Sequence, residues 1–233
     1  MKIVILAAGM GKRMGKLTNV IPKPLIRINN RPFLYYLLEN IKSLDLDLGI
    51  IVGYKGGEII KFCEKNYIKA TFIEQKEQKG TGDAIKHARD FVGNNNFLVV
   101  MGDNYYSEKD LRKVCKEDNI NYIAAIKSKC PERYGVVVEK NIFLKEIVEK
   151  PTCFVNNVVN TGLYKFTPEI FKAIEKIKLS ERGEYELTDA IKLLAKENKV
   201  KVAEIKDWLD LGCPEDISKI ESFFKNLNKK QRK

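Results

Sequence analysis

The stretch KIVILAAGMGKRMGK, residues 2–16, begins as a strand and continues as a loop that is rich in glycine and in cations. Its first six residues are mainly apolar and partly β-branched, which is typical of a buried strand. Gly9, Gly11 and Gly15 can expose backbone N–H groups, and the arginine and lysines between them supply positive charge. A strand that opens into such a loop predicts an α/β fold with an anion site at its first turn.

The rest of the first half repeats this alternation of short apolar runs with helical patterns. Buried strands are predicted at 2–7, 49–54, 71–75 and 96–103, and amphipathic helices at 31–44, 57–66 and 80–92. Strand–helix–strand units of this length predict a parallel sheet with right-handed crossovers.

The second half has a different pattern, with several strands in succession before helices return. Strands are predicted at 121–128, 134–139, 142–150 and 157–166, and helices at 167–177, 185–198 and 213–227. This order predicts hairpins within a mixed sheet. Because residues 1–233 show no repeat, linker or break in composition, we expect one α/β domain. The predicted fold is Rossmann-like, with three layers and a mixed, mainly parallel central sheet.

The net charge of +11 comes from 42 Lys and Arg residues against 31 Asp and Glu residues. Such an excess favours polyanionic partners, including nucleic acid and phosphorylated small molecules. Much of the lysine is spread over predicted helix surfaces, where a solvated face is the simpler interpretation. We therefore expect no nucleic acid partner, and we interpret the basic residues 225–233 as a frayed terminus.

Other features of the composition bear on membrane association and on the redox environment of the protein. No apolar run reaches the 18 or so residues that a membrane span requires. The N-terminal apolar run is too short for a signal peptide. Five cysteines without a CxxC motif, together with a single histidine, argue against a zinc cluster. We expect free thiols, a cytoplasmic location and no membrane partner.

The loop fits neither of two well-known phosphate-binding patterns. In the Walker pattern, Met10 stands where the first glycine belongs, and Leu17 replaces the hydroxyl that binds magnesium. In the dinucleotide pattern, Met14 replaces the third glycine, and no acidic residue closes the second strand. What remains is a nest of N–H groups at residues 8–13, together with Arg13 and the proline-flanked Lys23.

Two carboxylates complete the set that the residues themselves suggest. Asp103 directly follows a predicted buried strand, and Asp210 follows a strand-like run. Ligands of open α/β sheets bind beyond the carboxyl ends of the strands. Two carboxylates and phosphate oxygens suit Mg²⁺, which binds few protein ligands. We expect Asp103 to be replaceable without loss of the fold, because it ends a strand and does not fill the core.

With these residues in place, the sequence resembles the sugar-1-phosphate nucleotidylyltransferases along nearly its whole length. The segments that match are LAAGMGKRM (6–14), PKPL (22–25), EQKEQKGTGDAI (74–85), VMGDN (100–104), YGVV (134–137), IVEKP (147–151), NTGLY (160–164), EYELTDAI (184–191) and WLDLGCPED (208–216). Each segment alone is a weak signal, but their common order is highly specific.

The resemblance implies an Mg²⁺-dependent reaction in which a nucleoside triphosphate and a sugar 1-phosphate give a nucleotide sugar and pyrophosphate. It assigns the nucleotide to Leu6, Ala7, Ala8, Gly9, Gly11, Gln75, Gly80 and Thr81, the sugar phosphate to Gly135, Glu149, Lys150 and Asn160, catalysis to Arg13 and Lys23, and Mg²⁺ to Asp103 and Asp210. Gln75 is expected to contact the base edge, supported by the main chain of Gly80 and the hydroxyl of Thr81.

The sequence departs from the family pattern at three points. Lys12 stands where Thr or Ser is common. Asp83 follows Gly-Thr-Gly where many relatives have a small residue or histidine, which leaves the base or sugar preference open at this turn. The chain lacks the C-terminal left-handed β-helix of bifunctional relatives, so we expect no acetyltransferase activity.

Substrates and assembly are less constrained than the reaction. We favour UTP or dTTP with glucose or N-acetylglucosamine 1-phosphate. GTP with mannose or heptose 1-phosphate, and CTP with a phospho-alcohol, remain alternatives. A catalytically silent regulatory module with the same fold is an alternative of another class. The sequence is compatible with a homo-oligomer and does not fix the oligomeric state.

Overall fold

The structure, a computed structural model, describes residues 1–231 of the chain, with side chains to Leu227. Its strands are β1 (Lys2–Ala7), β2 (Arg27–Ile28), β3 (Arg31–Pro32), β4 (Asp47–Val52), β5 (Thr71–Glu74), β6 (Phe97–Met101), β7 (Asn104–Tyr106), β8 (Asn121–Lys127), β9 (Gly135–Lys140), β10 (Phe143–Glu149), β11 (Val158–Phe166), β12 (Val200–Glu204) and β13 (Trp208–Asp210). Its α-helices are α1 (Phe33–Lys42), α2 (Gly56–Lys65), α3 (Thr81–His87), α4 (Arg89–Val92), α5 (Glu108–Val114), α6 (Glu169–Ile174), α7 (Leu187–Lys196) and α8 (Asp216–Gln231).

Nine strands form the central sheet, in the order β5-β4-β1-β6-β11-β8-β12-β10-β9. The four strands of the first half are parallel to one another, as predicted. In the second half only β8 and β12 pair in parallel, and the other pairs are antiparallel. The sheet is therefore mixed and, as predicted, mainly parallel, since seven of its nine strands run in one direction and only β11 and β10 run in the other.

The physical reason for this difference is the length of the connections. A parallel neighbour requires a long crossover, which the helices between the early strands supply. Strands β9 and β10 are instead joined by a two-residue turn at Asn141 and Ile142, both with positive φ (52° and 64°). Such a turn forces the two strands to pair in antiparallel fashion.

Helices cover both faces of the sheet, which confirms the predicted three layers. Alternating residues of β1 show the division, since Val4 belongs to one apolar cluster and Ile3 and Ile5 belong to the other. The cluster that contains Val4 includes buried side chains of α3, α4, α6 and α7. The opposite cluster includes those of α1, α2 and α5. This period of two is what a strand buried on both faces requires.

A third apolar cluster fixes the first loop and α8 to the domain. Its members include Met14, Ile28, Phe33, Leu211 and Phe224, all nearly or fully buried. Met14 thus fills a core position where the dinucleotide pattern has glycine. Helix α8 covers 216–231, so residues 225–231 are helical rather than frayed as predicted, and 232–233 lie outside the described residues.

Several local features differ from the sequence expectation. The helix predicted at 80–92 is two helices, α3 and α4, that meet at Ala88. Helix α5 and the ribbon of β7 with β13 were not predicted. A local signal for α5 does exist, because Ser107 Oγ caps it by accepting from the Asp110 amide at 3.3 Å. Among the described helices, none has the length and apolar character needed to cross a membrane.

Candidate active site

A cleft of about 380 Å³ opens at the carboxyl ends of β1 and β6. Strand β1 lies between β4 and β6. The chain first adds β4 and β5 on one side of β1 and then returns to add β6 on the other side, so the strand order reverses at β1. Ligands of α/β sheets bind at such a switch point. The cleft is lined by Leu6, Ala7, Ala8, Gly9, Gly11, Gln75, Gly80 and Thr81, together with Arg13, Lys23 and Asp103. The structure therefore brings every predicted nucleotide residue to one place.

Further lining residues were assigned no role in the site from the sequence. They are Met10, Lys12, Pro24, Gln78, Ala84, Met101 and Glu184. Most adjoin a predicted residue along the chain, so the matching segments already included them. Glu184 belongs to the segment EYELTDAI, which was matched without a role.

The conformation of the loop depends on two glycines. Gly11 has φ +65°, and a Cβ there would lie 2.9 Å from Thr18 Cγ2. Gly15 has φ 57° and ψ −131° and interrupts the 3-10 turns of residues 12–19. These conformations are accessible to glycine and costly for other residues. The backbone N–H groups of Gly9, Met10 and Gly11 donate to no acceptor within residues 1–231, which leaves them free to bind an anion.

The turn after β4 supports this loop through hydrogen bonds. No role was predicted for this turn from the sequence. The Tyr54 amide donates to the Ala8 carbonyl at 3.0 Å. The Tyr54 hydroxyl donates to the Thr18 carbonyl at 3.0 Å, and Lys55 Nζ donates to the Asn19 carbonyl at 2.6 Å. These bonds hold the loop at its start, Ala8, and at its end, Thr18 and Asn19. The residues that donate them do not line the cleft.

The two predicted catalytic cations are in different environments. Lys23 is 5% exposed, and its Nζ lies 2.5 Å from Asp103 Oδ2. Arg13 is exposed at the cleft, and its guanidinium forms no hydrogen bond or ion pair with the described residues. Arg13 is therefore free to meet a phosphate, whereas Lys23 already neutralises a carboxylate.

Asp103 and Asp210 are adjacent but face different cavities. Leu211 N donates to the Asp103 carbonyl at 3.0 Å, and Asp210 pairs with Asn104 between β13 and β7. Asp103 lines the cleft, while Asp210 lines a neighbouring cavity of about 270 Å³. Burial and the nearby charge of Asp103 raise the pKa of Asp210 to about 6, although Lys23 and Arg13 partly oppose this. Burial is the largest of these effects, because it disfavours the charged form of the carboxyl group.

Gly212 allows a second charged pair to approach Asp210. A Cβ at this glycine would lie 2.8 Å from Asp210 Oδ2 and 3.1 Å from Asp216 Oδ2. Asp216 in turn contacts Arg133, with Nη2 and Oδ2 3.4 Å apart. Within the described residues, no group of three or more His, Cys, Asp or Glu side chains is placed to hold a metal ion.

Gln75 lies at the opposite part of the cleft and is 3% exposed. Its Nε2 donates to the Gly80 carbonyl at 3.1 Å and to Asp83 Oδ2 at 2.8 Å. Thr81 Oγ1 accepts from the Leu187 amide at 3.1 Å, so this hydroxyl also holds the start of α7. A role for Thr81 in joining α3 to α7 was not expected from the sequence.

Three of the four predicted sugar residues lie together beside the cleft. Gly135 and Glu149 are register partners on β9 and β10. A Cβ at Gly135 would lie 2.9 Å from Glu149 Oε2 and 3.9 Å from Asn160 Cβ. Lys150 has φ 43°, and its backbone amide donates to the Tyr134 carbonyl at 3.0 Å. None of these four residues lines the main cleft.

An irregularity in β11 joins this group to the segment that contains Asp103. The register of β11 shifts between Asn160 and Tyr164, where Gly162 has φ +77°. The Thr161 carbonyl accepts from Asn104 Nδ2 at 3.0 Å and from the Tyr106 hydroxyl at 2.7 Å. The predicted sugar and metal residues are therefore held in a fixed relation through buried hydrogen bonds.

Fold and site together define an α/β protein whose cleft, at the switch point of the sheet, contains free backbone amides and the cations Arg13 and Lys23. The sequence matches the nucleotidyl transferase family over residues 2–226. It is 45% identical over 222 residues to the bifunctional protein GlmU of Methanocaldococcus jannaschii, covering 93% of this chain and 52% of that protein. It is 34% identical over 232 residues to the UTP–glucose-1-phosphate uridylyltransferase AglF of Haloferax volcanii, covering 95% of each.

A solved structure shows the same fold. A putative glucose-1-phosphate thymidylyltransferase from Bacillus anthracis, in complex with sucrose, has a TM-score of 0.84 and 27% identity. The alignment covers 96% of this chain and 94% of that one. The chain thus belongs to the nucleotidyl transferase family, and the predicted class of enzyme is confirmed. It spans about half the length of the bifunctional relatives that it matches.

Proposed function

We propose that this chain transfers a nucleotidyl group from UTP or dTTP to glucose or N-acetylglucosamine 1-phosphate, with release of pyrophosphate. The observation that carries this proposal is the convergence of the free loop amides, Arg13, Lys23, Asp103 and Gln75 on one cleft. The names of AglF and of the Bacillus anthracis protein support UTP or dTTP and glucose 1-phosphate.

The reaction makes few demands for proton transfer. An oxygen of the sugar phosphate attacks the α-phosphorus, the bond from that phosphorus to the bridging oxygen of the β-phosphate breaks, and pyrophosphate leaves with the electron pair. The attacking oxygen is already ionised near pH 7, so a general base is not required. The only histidine, His87, is exposed on α3 and does not line the cleft.

The main obstacle to the reaction is the repulsion between two polyanions, and the cations of the cleft reduce this repulsion. Arg13, which has no partner in the described residues, would contact the β- and γ-phosphates and stabilise the leaving pyrophosphate. The Lys23 ammonium, now bound to Asp103, would contact the α-phosphate or the sugar phosphate. Charge stabilisation of this kind is commonly the largest contribution to catalysis of transfers between anions.

We also propose that Asp103 and Asp210 hold Mg²⁺. Their donor chemistry fits, since Mg²⁺ prefers a few carboxylate oxygens together with substrate phosphates. The pKa of Asp210 is raised mainly by its burial and further by the charge of Asp103, so a bound cation would stabilise the ionised form of this carboxylate. When bound, the ion would neutralise phosphate charge and orient the two substrates.

A pyrophosphate-release assay over four nucleoside triphosphates and several sugar 1-phosphates tests this function. We expect turnover with UTP or dTTP and with glucose or N-acetylglucosamine 1-phosphate, and loss of turnover on addition of EDTA. Preference for GTP or CTP would support the guanylyl or cytidylyl alternative. Tight nucleotide-sugar binding without any turnover would support the silent regulatory module.

A further inference from the structure

The amide of Gln75 has one orientation that satisfies its neighbours. A primary amide nitrogen carries two N–H groups and has no acceptor capacity. Both N–H groups of Gln75 have acceptors, the Gly80 carbonyl at 3.1 Å and Asp83 Oδ2 at 2.8 Å. Its Oε1 accepts no hydrogen bond from the described residues. The polar atom that Gln75 leaves for a ligand is therefore an acceptor.

Asp83 makes the reversed orientation unfavourable. An ionised carboxylate can only accept, so a rotated amide would place Oε1 against a negative oxygen. The Asp83 side chain is 16% exposed and lies 3.6 Å from His87 Nε2, so water does little to weaken this effect. The Gly80 carbonyl requires the same orientation, but it engages only one of the two N–H groups. Asp83 is therefore the residue that occupies the second donor.

The Gly80 carbonyl is itself held in place by the segment before α7. The Tyr185 amide donates to the Lys79 carbonyl at 2.7 Å, and the Gly82 amide donates to the Tyr185 carbonyl at 2.7 Å. Gly80 has φ +102°, and a Cβ there would lie 2.6 Å from the Tyr185 carbonyl oxygen. The two acceptors of the Gln75 amide thus come from a rigid turn and from the first turn of α3.

We propose that Asp83 is a positioning residue for base selection, which fixes Gln75 so that it presents an acceptor to the base. This inference rests on the proposed function, in which the base of the nucleotide lies against Gln75. Uracil and thymine carry an N–H at ring position 3, which suits an acceptor. Cytosine has an unprotonated ring nitrogen there, which would face the lone pairs of Oε1. Guanine also carries a ring N–H, so the selection separates uracil and thymine from cytosine.

Asp83→Ala tests this role, because the Gln75 amide then keeps only one of its two acceptors and can rotate to present an N–H to cytosine. We expect the ratio of kcat/KM for UTP over CTP to fall about tenfold, mainly through KM, with kcat for UTP nearly unchanged. Asp83→Asn keeps an acceptor oxygen and should retain most of the selectivity. The control Asp90→Ala, at an exposed position on α4, should leave the ratio unchanged.

A ligand test needs no variant and remains informative if Asp83→Ala fails to fold. N3-methyl-UTP lacks the ring N–H, and we expect calorimetry to show that wild-type protein binds it about tenfold more weakly than UTP. Equal binding of the two nucleotides would overturn the inference. So would an Asp83→Ala variant that melts at a lower temperature but keeps its UTP over CTP ratio, because that result indicates a structural role alone.

The same binding measurements separate the two proposals. If wild-type protein releases no pyrophosphate with any substrate pair, the proposed function fails. The binding preference for UTP over CTP, and its loss in Asp83→Ala, still tests the positioning role under those conditions. If wild-type protein binds UTP and CTP equally, the inference about Asp83 fails whatever the turnover.

Discussion

Lys23 and Asp103 show how the role of one residue depends on another that is distant in sequence. Lys23 is nearly fully buried, and Asp103 is the only side chain in the described residues that neutralises it. A buried ammonium without its partner is strongly destabilising. The prediction that Asp103 can be replaced without loss of the fold stays a prediction, but the ion pair indicates that Asp103→Ala lowers stability, because that change leaves the charge of Lys23 unpaired.

We predict that Asp103→Ala lowers the free energy of unfolding by about 3 kcal/mol, since removing one partner of a buried ion pair costs about this much. Asp103→Asn keeps an oxygen that can accept from Lys23 and should lose less. Both variants should lose most Mg²⁺-dependent turnover. Urea denaturation and pyrophosphate release measure the two effects, and an Asp103→Asn variant with full turnover would refute the metal role.

Arg13→Ala should lower kcat by about 10²-fold, because it removes a cation that acts on the leaving pyrophosphate. The melting temperature should hardly change, since the guanidinium is exposed and has no partner in the described residues. Lys16→Ala is the matched control, because Lys16 is exposed on the same loop but does not line the cleft. If Arg13→Ala raised only KM for the sugar phosphate, Arg13 would act elsewhere in the site.

At the scale of elements, the base side of the cleft depends on how α3 meets the start of α7. The turn at residues 79–82 is linked to residues 185–187 by backbone hydrogen bonds and by the Thr81 hydroxyl. Two segments that match the family, EQKEQKGTGDAI and EYELTDAI, therefore form one structural unit. The second segment contributes to the site by supporting the first.

We predict that Gly80→Ala raises KM for the nucleotide about tenfold and lowers the melting temperature. Its φ of +102° disfavours a side chain, and the added Cβ would lie 2.6 Å from the Tyr185 carbonyl oxygen, so the turn must move. Gly57→Ala is the control, since a Cβ at this position on α2 meets no atom within 4 Å. That variant should be neutral or slightly more stable. Steady-state kinetics and thermal melting compare the two.

At the scale of the whole molecule, a buried charge joins β11 to the segment that precedes its neighbour β8. Lys165 on β11 is fully buried, and its Nζ donates to Asp118 Oδ1 at 2.9 Å and to the Ile120 carbonyl at 2.8 Å. Asp118 precedes β8, which pairs with β11. Burial would raise the pKa of Asp118, but hydrogen bonds from Tyr122 and Lys165 outweigh this and hold the pKa below its ordinary value.

Asp118→Ala should therefore lower the free energy of unfolding by about 2 kcal/mol, less than for a fully buried pair because Asp118 is partly exposed. A lowered pKa in the folded state means that the carboxylate stabilises the fold above pH about 4, and that this effect is lost as the pH falls further. Urea denaturation at pH 7 and at pH 3 should show the difference between wild-type and variant shrinking at the lower pH.

The control for this prediction is Asp189→Ala, which removes a partly exposed pair with Lys192 on α7. Such pairs contribute less than about 1 kcal/mol. If both variants lost equal stability, or if the Asp118 effect grew in acid, the proposed coupling of Asp118 to Lys165 would be wrong.

The sequence by itself determined the strands of the first half, the order of the matching segments and the nucleotide residues that line the cleft. These features depend on periodicity and on neighbours along the chain, such as the glycines and Arg13 of the first loop. The sequence also indicated the mixed sheet, because strands without intervening helices can pair only in antiparallel fashion if they are neighbours.

Only the tertiary structure decided which of these residues contact each other. It placed β11 between β6 and β8, joined Lys23 to Asp103 across 80 residues, and set Asp210 beside a second cavity. It also showed that Asp83, a departure from the family pattern, holds the Gln75 amide. Periodicity and spacing act over a few residues, whereas these contacts exist only after crossovers bring distant strand ends to the same edge of the sheet.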